Sequence, residues 1–245
     1  ILGNSIKKIA NEKSKAIINS QQKCLSVNQG ETINNILLEQ AKNCKSSIEF
    51  IRNNNNKYFF KNLYGKHQQE NATLAQEIII TLKSMRPLSI TLNKIHHSIS
   101  NTTWYGRFQI LKKKPTIIYD VAHNSESLKC FLKSFIKFEK QNTFKTKHLI
   151  IAFEKNKKIR STLKKYENHF DHIICSETNI RYSMNCQHMT TIFSKNINVD
   201  YNTDLTGAIS ETIYKSNTSD VVAIVGSHFM APALDKIFKN CFEHK

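Results

Sequence analysis

The sequence predicts an α/β protein whose later part is built on a mainly parallel sheet. Three observations carry this. From Trp104 onward, short apolar runs alternate with stretches of helical period, the rhythm of strands joined by crossover helices. The run Ile117-Ile118-Tyr119-Asp120-Val121-Ala122-His123-Asn124 reads as a strand emptying into a helix at Ser125, and ligands of open α/β sheets gather at such strand ends. Before residue 103 the style differs, so a boundary is expected there, with domains at 1–103 and 104–245.

Residues 5–19 read as an amphipathic helix, with Ile6, Ile9, Ala10, Ala16 and Ile17 at spacings of three and four. Residues 20–65 alternate apolar runs (Cys24-Leu25-Ser26-Val27; Tyr58-Phe59-Phe60) with polar ones, and the asparagines at 53–56 form a turn-like run. Leu74, Ala75, Ile78, Ile79 and Leu82 stripe a second helix over 71–84, and Pro87 stops it. A short helix and linker fill 88–103. Strands are then expected at 116–121, 148–153, 172–175 and 221–225, and helices at 125–139, 158–168, 204–216 and 229–240. No internal repeat is evident.

The formal net charge is +17. Nucleic-acid binding is one explanation, but lysine and asparagine are raised throughout and no basic segment carries the interleaved aromatics of a stacking platform. Nucleic acid is therefore not the expected partner; a positive field equally suits small anionic substrates. The six cysteines are scattered without a C-x-x-C pair, which argues for reduced thiols rather than a zinc site or a disulfide framework. There is no apolar run long enough to span a membrane and no basic-then-apolar leader pattern at the first residues. A cytoplasmic protein is expected.

Asp120, His123 and Asn124 fall where the strand at 116–121 feeds a helix, and Arg107 offers a guanidinium to an anion. Each has a plain alternative: an aspartate capping a helix, a structural histidine, a surface arginine. Lys13 falls in line with Ile6, Ile9 and Ala16-Ile17. Burial there would favour a neutral amine, able to add carbon dioxide and become a metal-holding carbamate; alternatively the lysine snorkels past the stripe. Asn71 stands near the start of the second helix, where a capping role is the simple reading. Gly226-Ser227 ends the last strand and could be an ordinary strand-to-helix turn.

Taken together, Trp104-Tyr105-Gly106-Arg107-Phe108-Gln109 and Asp120-Val121-Ala122-His123-Asn124 resemble the W-x-G-R-x-Q and D-x-A-H-N segments of the folylpolyglutamate/dihydrofolate synthases, a branch of the Mur ligase superfamily. Gly65-Lys66-His67-Gln68-Gln69-Glu70-Asn71-Ala72 resembles that family's G-x-H-Q-x-x-N-A signature, and Leu2-Gly3 with Ile9-Ala10-Asn11-Glu12-Lys13 its L-G…I-A-x-E-K segment. The resemblance implies a Rossmann-like C-terminal Mur ligase domain at 104–245, preceded at 1–103 by the end of a P-loop-type ATPase domain. It implies ATP and Mg2+ as cofactors, and L-glutamate with folate or dihydropteroate as substrates, in a monomeric ligase forming an amide bond. Asn71 would contact adenine, Arg107 the phosphates and Asp120 the ribose. His123 and Ser227 would place glutamate, and carbamylated Lys13 would hold the metal. Arg181 resembles a loop arginine of the family.

Two departures qualify this. The family shows a glycine and then Asp-Lys-Asp after the strand at 148–153; here 152–158 reads Ala-Phe-Glu-Lys-Asn-Lys-Lys, and Lys157 alone fits. The family's Gly-rich phosphate loop is missing, since none of the six glycines stands in such a motif. The metal-binding histidine of the family would precede Ile1. The expectation is an N-terminally truncated ligase, inactive alone. The alternatives are a non-catalytic remnant or split subunit, a Mur-type peptidoglycan or cyanophycin-synthetase-like ligase, or a basic RNA-binding module.

Overall fold

The computed structural model describes residues 5–51, 58–155, 158–178 and 182–243. The polar run at 53–56, Leu2-Gly3, Lys157 and Arg181 lie outside these residues. The chain divides into two compact units, one of residues 1–61 and 66–102, the other of 62–65 and 103–245.

In the first unit, α1 spans Ile6–Ser14, its N-terminus closed by Ser5 Oγ accepting from Lys8 N at 3.2 Å. It is shorter than the sequence suggests, because Gln22 Oε1 accepts from Ile18 N at 2.7 Å and draws the chain into a turn. A parallel pair follows, β1 (Lys23–Val27) and β2 (Ser47–Ile51), joined through α2 (Glu31–Asn43). No strand residue of this pair is fully buried. The helix α3 (His67–Met85) starts four residues before the predicted 71, and α4 (Leu92–Asn101) is capped by Thr91.

The second unit is a six-stranded sheet. Its elements are β3 (Gln109–Lys113), β4 (Thr116–Asp120), α5 (Ser125–Glu139), β5 (Lys147–Ala152), α6 (Arg160–Leu163), β6 (His172–Ser176), α7 (Cys186–Thr190), β7 (Asn198–Asn202), α8 (Leu205–Lys215), β8 (Val221–Gly226) and α9 (Ala231–Ile237). The strand order is β3-β4-β8-β5-β6-β7; β3 is antiparallel to β4 and every other pair is parallel. The inner parallel strands β4, β8, β5 and β6 are buried on both faces, as crossover helices require. Ile118, Leu149, Ile151 and Ile173 pack under Leu128, Phe131 and Phe135 of α5 together with Leu163, Tyr166 and Met189. The alternate residues Ile117, Ile150, Ile174 and Ile224 pack under Leu205, Ala208 and Ile209 of α8 and Leu234 of α9.

Some elements differ from the sequence reading. The predicted helix at 158–168 is a short α-turn that tightens into a 3-10 turn over Lys164–Asn168. The predicted helix at 229–240 is a 3-10 turn, His228–Met230, followed by α9. Strands β3 and β7 and helix α7 were not anticipated by pattern. β7 is a half-exposed edge whose sequence, Asn-Val-Asp-Tyr-Asn, carries one aliphatic residue.

The topology positions the site. Chains leaving β4 and β5 cross to the α5 face, whereas the chain leaving β8 turns to the opposite face. β8 lies between β4 and β5, so the carboxyl ends of these three strands frame a switch point.

Candidate functional site

Gly106 and Gly226 set the geometry of this edge. Gly106 has φ +68°, and a Cβ there would come within 2.7 Å of Val121 Cγ1. Its carbonyl accepts from Val121 N at 2.9 Å, and its N–H donates to Gln109 Oε1 at 2.8 Å. Gln109 in turn donates through Nε2 to the Cys241 carbonyl at 2.8 Å. Phe108, with φ +48°, sits in a region costing a non-glycine residue on the order of 1–3 kcal/mol. Two things hold it there. Its ring is buried against Tyr64, Phe131 and Phe138, and its N–H donates to Asp120 Oδ2 at 2.8 Å. Arg107, between these two fixed residues, is exposed.

Asp120 closes the other side of the turn. Its Oδ1 accepts from Ala122 N at 2.8 Å, so each carboxylate oxygen holds a backbone amide. Burial raises its pKa to about 6, opposed by the amides of Phe108 and Ala122 and by the Arg107 guanidinium. The sequence reading gave Asp120 to a ribose; in the structure its carboxylate braces the loop that carries Arg107.

His123 is half-buried, and its Nδ1 lies 2.9 Å from the Val121 carbonyl. A carbonyl only accepts, so Nδ1 carries the proton and the neutral ring keeps its acceptor at Nε2. Asn124 caps α5: its Oδ1 accepts from Glu126 N at 3.1 Å and Ser127 N at 2.9 Å, while Ser127 Oγ accepts from Asn124 N. The first amides of α5 are thus satisfied by the protein itself.

At the end of β8, Gly226 (φ +148°) lies so close to β5 that a Cβ would fall 2.0 Å from the Ala152 carbonyl oxygen. Ser227 is fully buried. Its N–H donates to the Ala152 carbonyl at 3.0 Å, its Oγ accepts from Phe229 N at 3.1 Å, and its hydroxyl proton goes to Glu154 Oε1. The Tyr119 hydroxyl donates to the Ser227 carbonyl at 3.3 Å.

Arg107, Asp120, His123 and Ser227 therefore share one end of one sheet. Lys13 and Asn71 belong to the other unit. Lys13 corrects an expectation: it is exposed, and the buried line of α1 is Ala10 and Ser14, continued by Ile17. Ile6 and Ile9, with which Lys13 aligns, are 68% and 39% exposed. Asn71 is likewise not a cap. It is an exposed residue inside α3, donating through Nδ2 to Gln68 Oε1 at 3.1 Å. The sequence reading missed Glu154 as a site residue, because 152–158 was judged against an Asp-Lys-Asp pattern. The available signal was an acid two residues beyond a strand end, facing the strand that ends in Gly-Ser.

The edge offers an anion the exposed Arg107 on its braced loop. It does not suit a metal: among the described residues no three His, Cys, Asp or Glu side chains gather as ligands. None of the six cysteines is in a disulfide among the described residues, and no helix among them is long and apolar enough to cross a membrane.

Residues 106–228 match the family described as Mur ligase, glutamate ligase domain. A probable dihydrofolate synthetase of Schizosaccharomyces pombe is 26% identical over 183 residues, covering 66% of this chain and 43% of its own length. The folylpolyglutamate synthase of Mycobacterium tuberculosis, solved with ADP and AMPPCP, superposes with a TM-score of 0.76 at 16% identity, over 98% of this chain and 61% of that one. A bifunctional folylpolyglutamate/dihydrofolate synthase from Yersinia pestis, solved with AMPPNP and a manganese ion, gives 0.76 at 15% identity, over 97% and 58%. The chain thus spans about half the length of the proteins it resembles. Its fold is theirs over nearly all its residues, and the chain belongs to the Mur ligase family, with residues 106–228 forming its glutamate ligase domain.

Proposed function

We infer that this chain serves an ATP-dependent carboxylate–amine ligase that adds L-glutamate to a folate or dihydropteroate carboxylate. The observation that carries the reading is the braced turn: Gly106, Phe108, Gln109 and Asp120 spend their hydrogen bonds fixing the backbone on either side of Arg107. A guanidinium carried on a fixed loop, at the same end of the sheet as a strand-end histidine, is what a reaction between anions needs, since such catalysis is mostly positioning and charge neutralisation. ATP, when bound, supplies the phosphoryl group that activates the carboxylate. Arg107 neutralises phosphate charge. Asp120 acts by holding Arg107's loop. His123, its Nδ1 proton committed to the Val121 carbonyl, offers Nε2 toward the amino-acid side. Asn71 and Ser227 retain their proposed parts toward adenine and glutamate, Ser227 acting from a buried position. For magnesium the described residues supply no ligand set, and a Lys13 carbamate would add a single anion.

The names of the relatives favour the folate branch over peptidoglycan ligases that share the domain. The 245 residues hold no Gly-Lys-Ser/Thr phosphate loop, so this polypeptide by itself is proposed to bind substrates without turning them over, as a split subunit or remnant would. A cytoplasmic monomer is part of the same proposal. The test is calorimetric titration with ADP, alongside phosphate release with ATP, magnesium, glutamate and dihydropteroate. ADP binding that falls about tenfold or more in Arg107→Ala, a lost hydrogen bond to a charged group having this scale, is the expected result. Steady phosphate release by the 245 residues overturns the proposed inactivity, and unchanged ADP binding by Arg107→Ala overturns the assignment of the site.

A further inference from the structure

We propose that the segment after α9, residues 238–243, is a clamp that sets the position of Arg107, with Gln109 and Phe242 as its positioning residues; this rests on the reading of Arg107 as the group that meets phosphate, and deepens it. The link begins at Gln109, whose side-chain amide is used at both ends. Its Oε1 accepts from Gly106 N, and its Nε2 donates to the Cys241 carbonyl. An amide has one accepting end and one donating end, and a backbone carbonyl only accepts. The Cys241 carbonyl therefore decides which end of Gln109 faces Gly106. Turned over, the amide would set its own donors against the N–H of a buried glycine. Gly106 directly precedes Arg107, so the backbone that carries the guanidinium is held in part by a carbonyl 132 residues away in sequence.

That carbonyl is only as well placed as its segment. The chain folds back after α9 through Phe238 N to the Leu234 carbonyl at 2.7 Å, Cys241 N to the Phe238 carbonyl at 3.0 Å and Glu243 N to the Asn240 carbonyl at 3.3 Å. Asn240 takes φ +60°, which asparagine tolerates better than most residues. Phe242, half-buried, is the anchor. Its ring stands edge-on to Tyr105 and to Tyr119, with centroids 6.1 Å and 5.9 Å away. The Tyr105 hydroxyl donates to the Glu243 carbonyl. Tyr105 and Gln109 are the two shoulders of the turn that carries Arg107, and the segment grips both. Asp120 holds the same turn from the other side, through Phe108. Through buried Tyr119, whose hydroxyl reaches the Ser227 carbonyl, the Phe242 ring also abuts the end of β8. One short segment thus ties the Arg107 turn to the strand end beside it.

The experiment is a double-mutant cycle on ADP affinity, measured by calorimetry on the 245-residue protein, together with amide hydrogen exchange. Phe242→Ala is expected to weaken ADP binding about fivefold, the lower end of usual coupling between sites. It should also speed exchange at Gly106 and Val121, the two amides of the turn's base, while Val222 to Val225 of β8 keep their rates. A residue that only stabilises the fold would weaken ADP equally with or without the guanidinium. A clamp loses its effect once Arg107 is gone, so Arg107→Ala/Phe242→Ala should bind ADP as Arg107→Ala does. Gln109→Met cuts the link to Cys241 and leaves Phe242 seated; it should give the same pattern and serves if Phe242→Ala fails to fold. ADP affinity or exchange at Gly106 and Val121 unchanged in these variants, or losses that multiply in the double variant, overturn the proposal; with Arg107→Ala still weakened, the ligase reading survives. ADP binding that Arg107→Ala leaves unchanged, or that the wild type lacks, overturns both.

Discussion

The two units carry sequence signatures of similar strength and hold them very differently. In the unit of 103–245 four motif residues are tied into the backbone around them: Asp120 to two amides, His123 to its own strand end, Gln109 to the Cys241 carbonyl, Ser227 to five partners. In the unit of 1–61 and 66–102, Lys13 and Asn71 stand exposed on helices, and the two-stranded sheet beside them has no fully buried residue. A motif can thus be matched letter for letter without being braced. Bracing comes from a sheet buried on both faces, which leaves polar groups at its carboxyl edge no water to fall back on.

That contrast can be broken by mutation, most forcefully at Gly226. Gly226→Ala puts a methyl group 2.0 Å from the backbone oxygen of Ala152, with no flexible side chain to yield. A destabilisation above about 4 kcal/mol is expected, read as loss of the unfolding transition of this unit. Asp120→Ala comes next. Bonds from an amide to a charged group are worth about 1.5–3 kcal/mol each, and losing the buried charge returns part of that, so about 2 kcal/mol net is expected in urea unfolding. ADP affinity should fall with it, because Arg107 loses its support.

A smaller effect belongs to the amino edge of the same sheet. His148 has a buried Nδ1 without a partner, and burial, then neighbouring His172, hold its pKa below the ordinary value, with Asp220 and Asp171 opposing. Asp200 of β7 and Glu211 and Lys215 of α8 line the same cavity. A histidine held low in the folded state stabilises above its unfolded pKa, near 6.5, and that contribution is lost as pH falls from there through the lower folded value. Asp120 has the opposite sign. Its folded pKa of about 6 exceeds the ordinary 3.8, so its contribution is greatest in acid and is lost as pH rises through 6. Urea midpoints measured from pH 7.5 to 5 should decline less steeply in His148→Gln than in the wild type; parallel slopes would refute the assignment. Least of all, Lys13→Ala should change stability by no more than about 0.5 kcal/mol, as exposed sites do. A larger loss would show that Lys13 is braced after all and would narrow the difference between the units.

Much of the parallel sheet was legible in the sequence, for a physical reason. Strands buried on both faces must be apolar runs, so β4, β5, β6 and β8 stand out as such. The limits of α5 were readable because Asn124 caps a strongly periodic stretch. The edge strands were not, since β7 and β3 face solvent on one side and need no continuous run. Lys13 was misplaced because Ser14 counts as polar in any pattern. Within α1 it is buried, its hydroxyl satisfied by the Asn11 carbonyl at 2.8 Å, and this shifts the packed face by one residue. Arg107, Asp120, His123 and Ser227 were found through their motif. What each one touches, above all the Glu154 partner of Ser227, depends on which strand ends lie side by side, and pattern along the chain does not carry that.

Strand order has a temporal consequence as well. β8 is the last in chain order of the six strands of this sheet and the one that separates β4 from β5. Until residues 221–226 have left the ribosome, β4 and β5 have no shared neighbour. The sheet can therefore close only after residues 221–226 have been made, through pairings of large sequence separation, which are slow to form. An unfinished chain would show its apolar strand edges to whatever lies nearby. A chain ending before Val221 should consequently be a substrate for chaperones and proteases rather than a smaller version of the same domain.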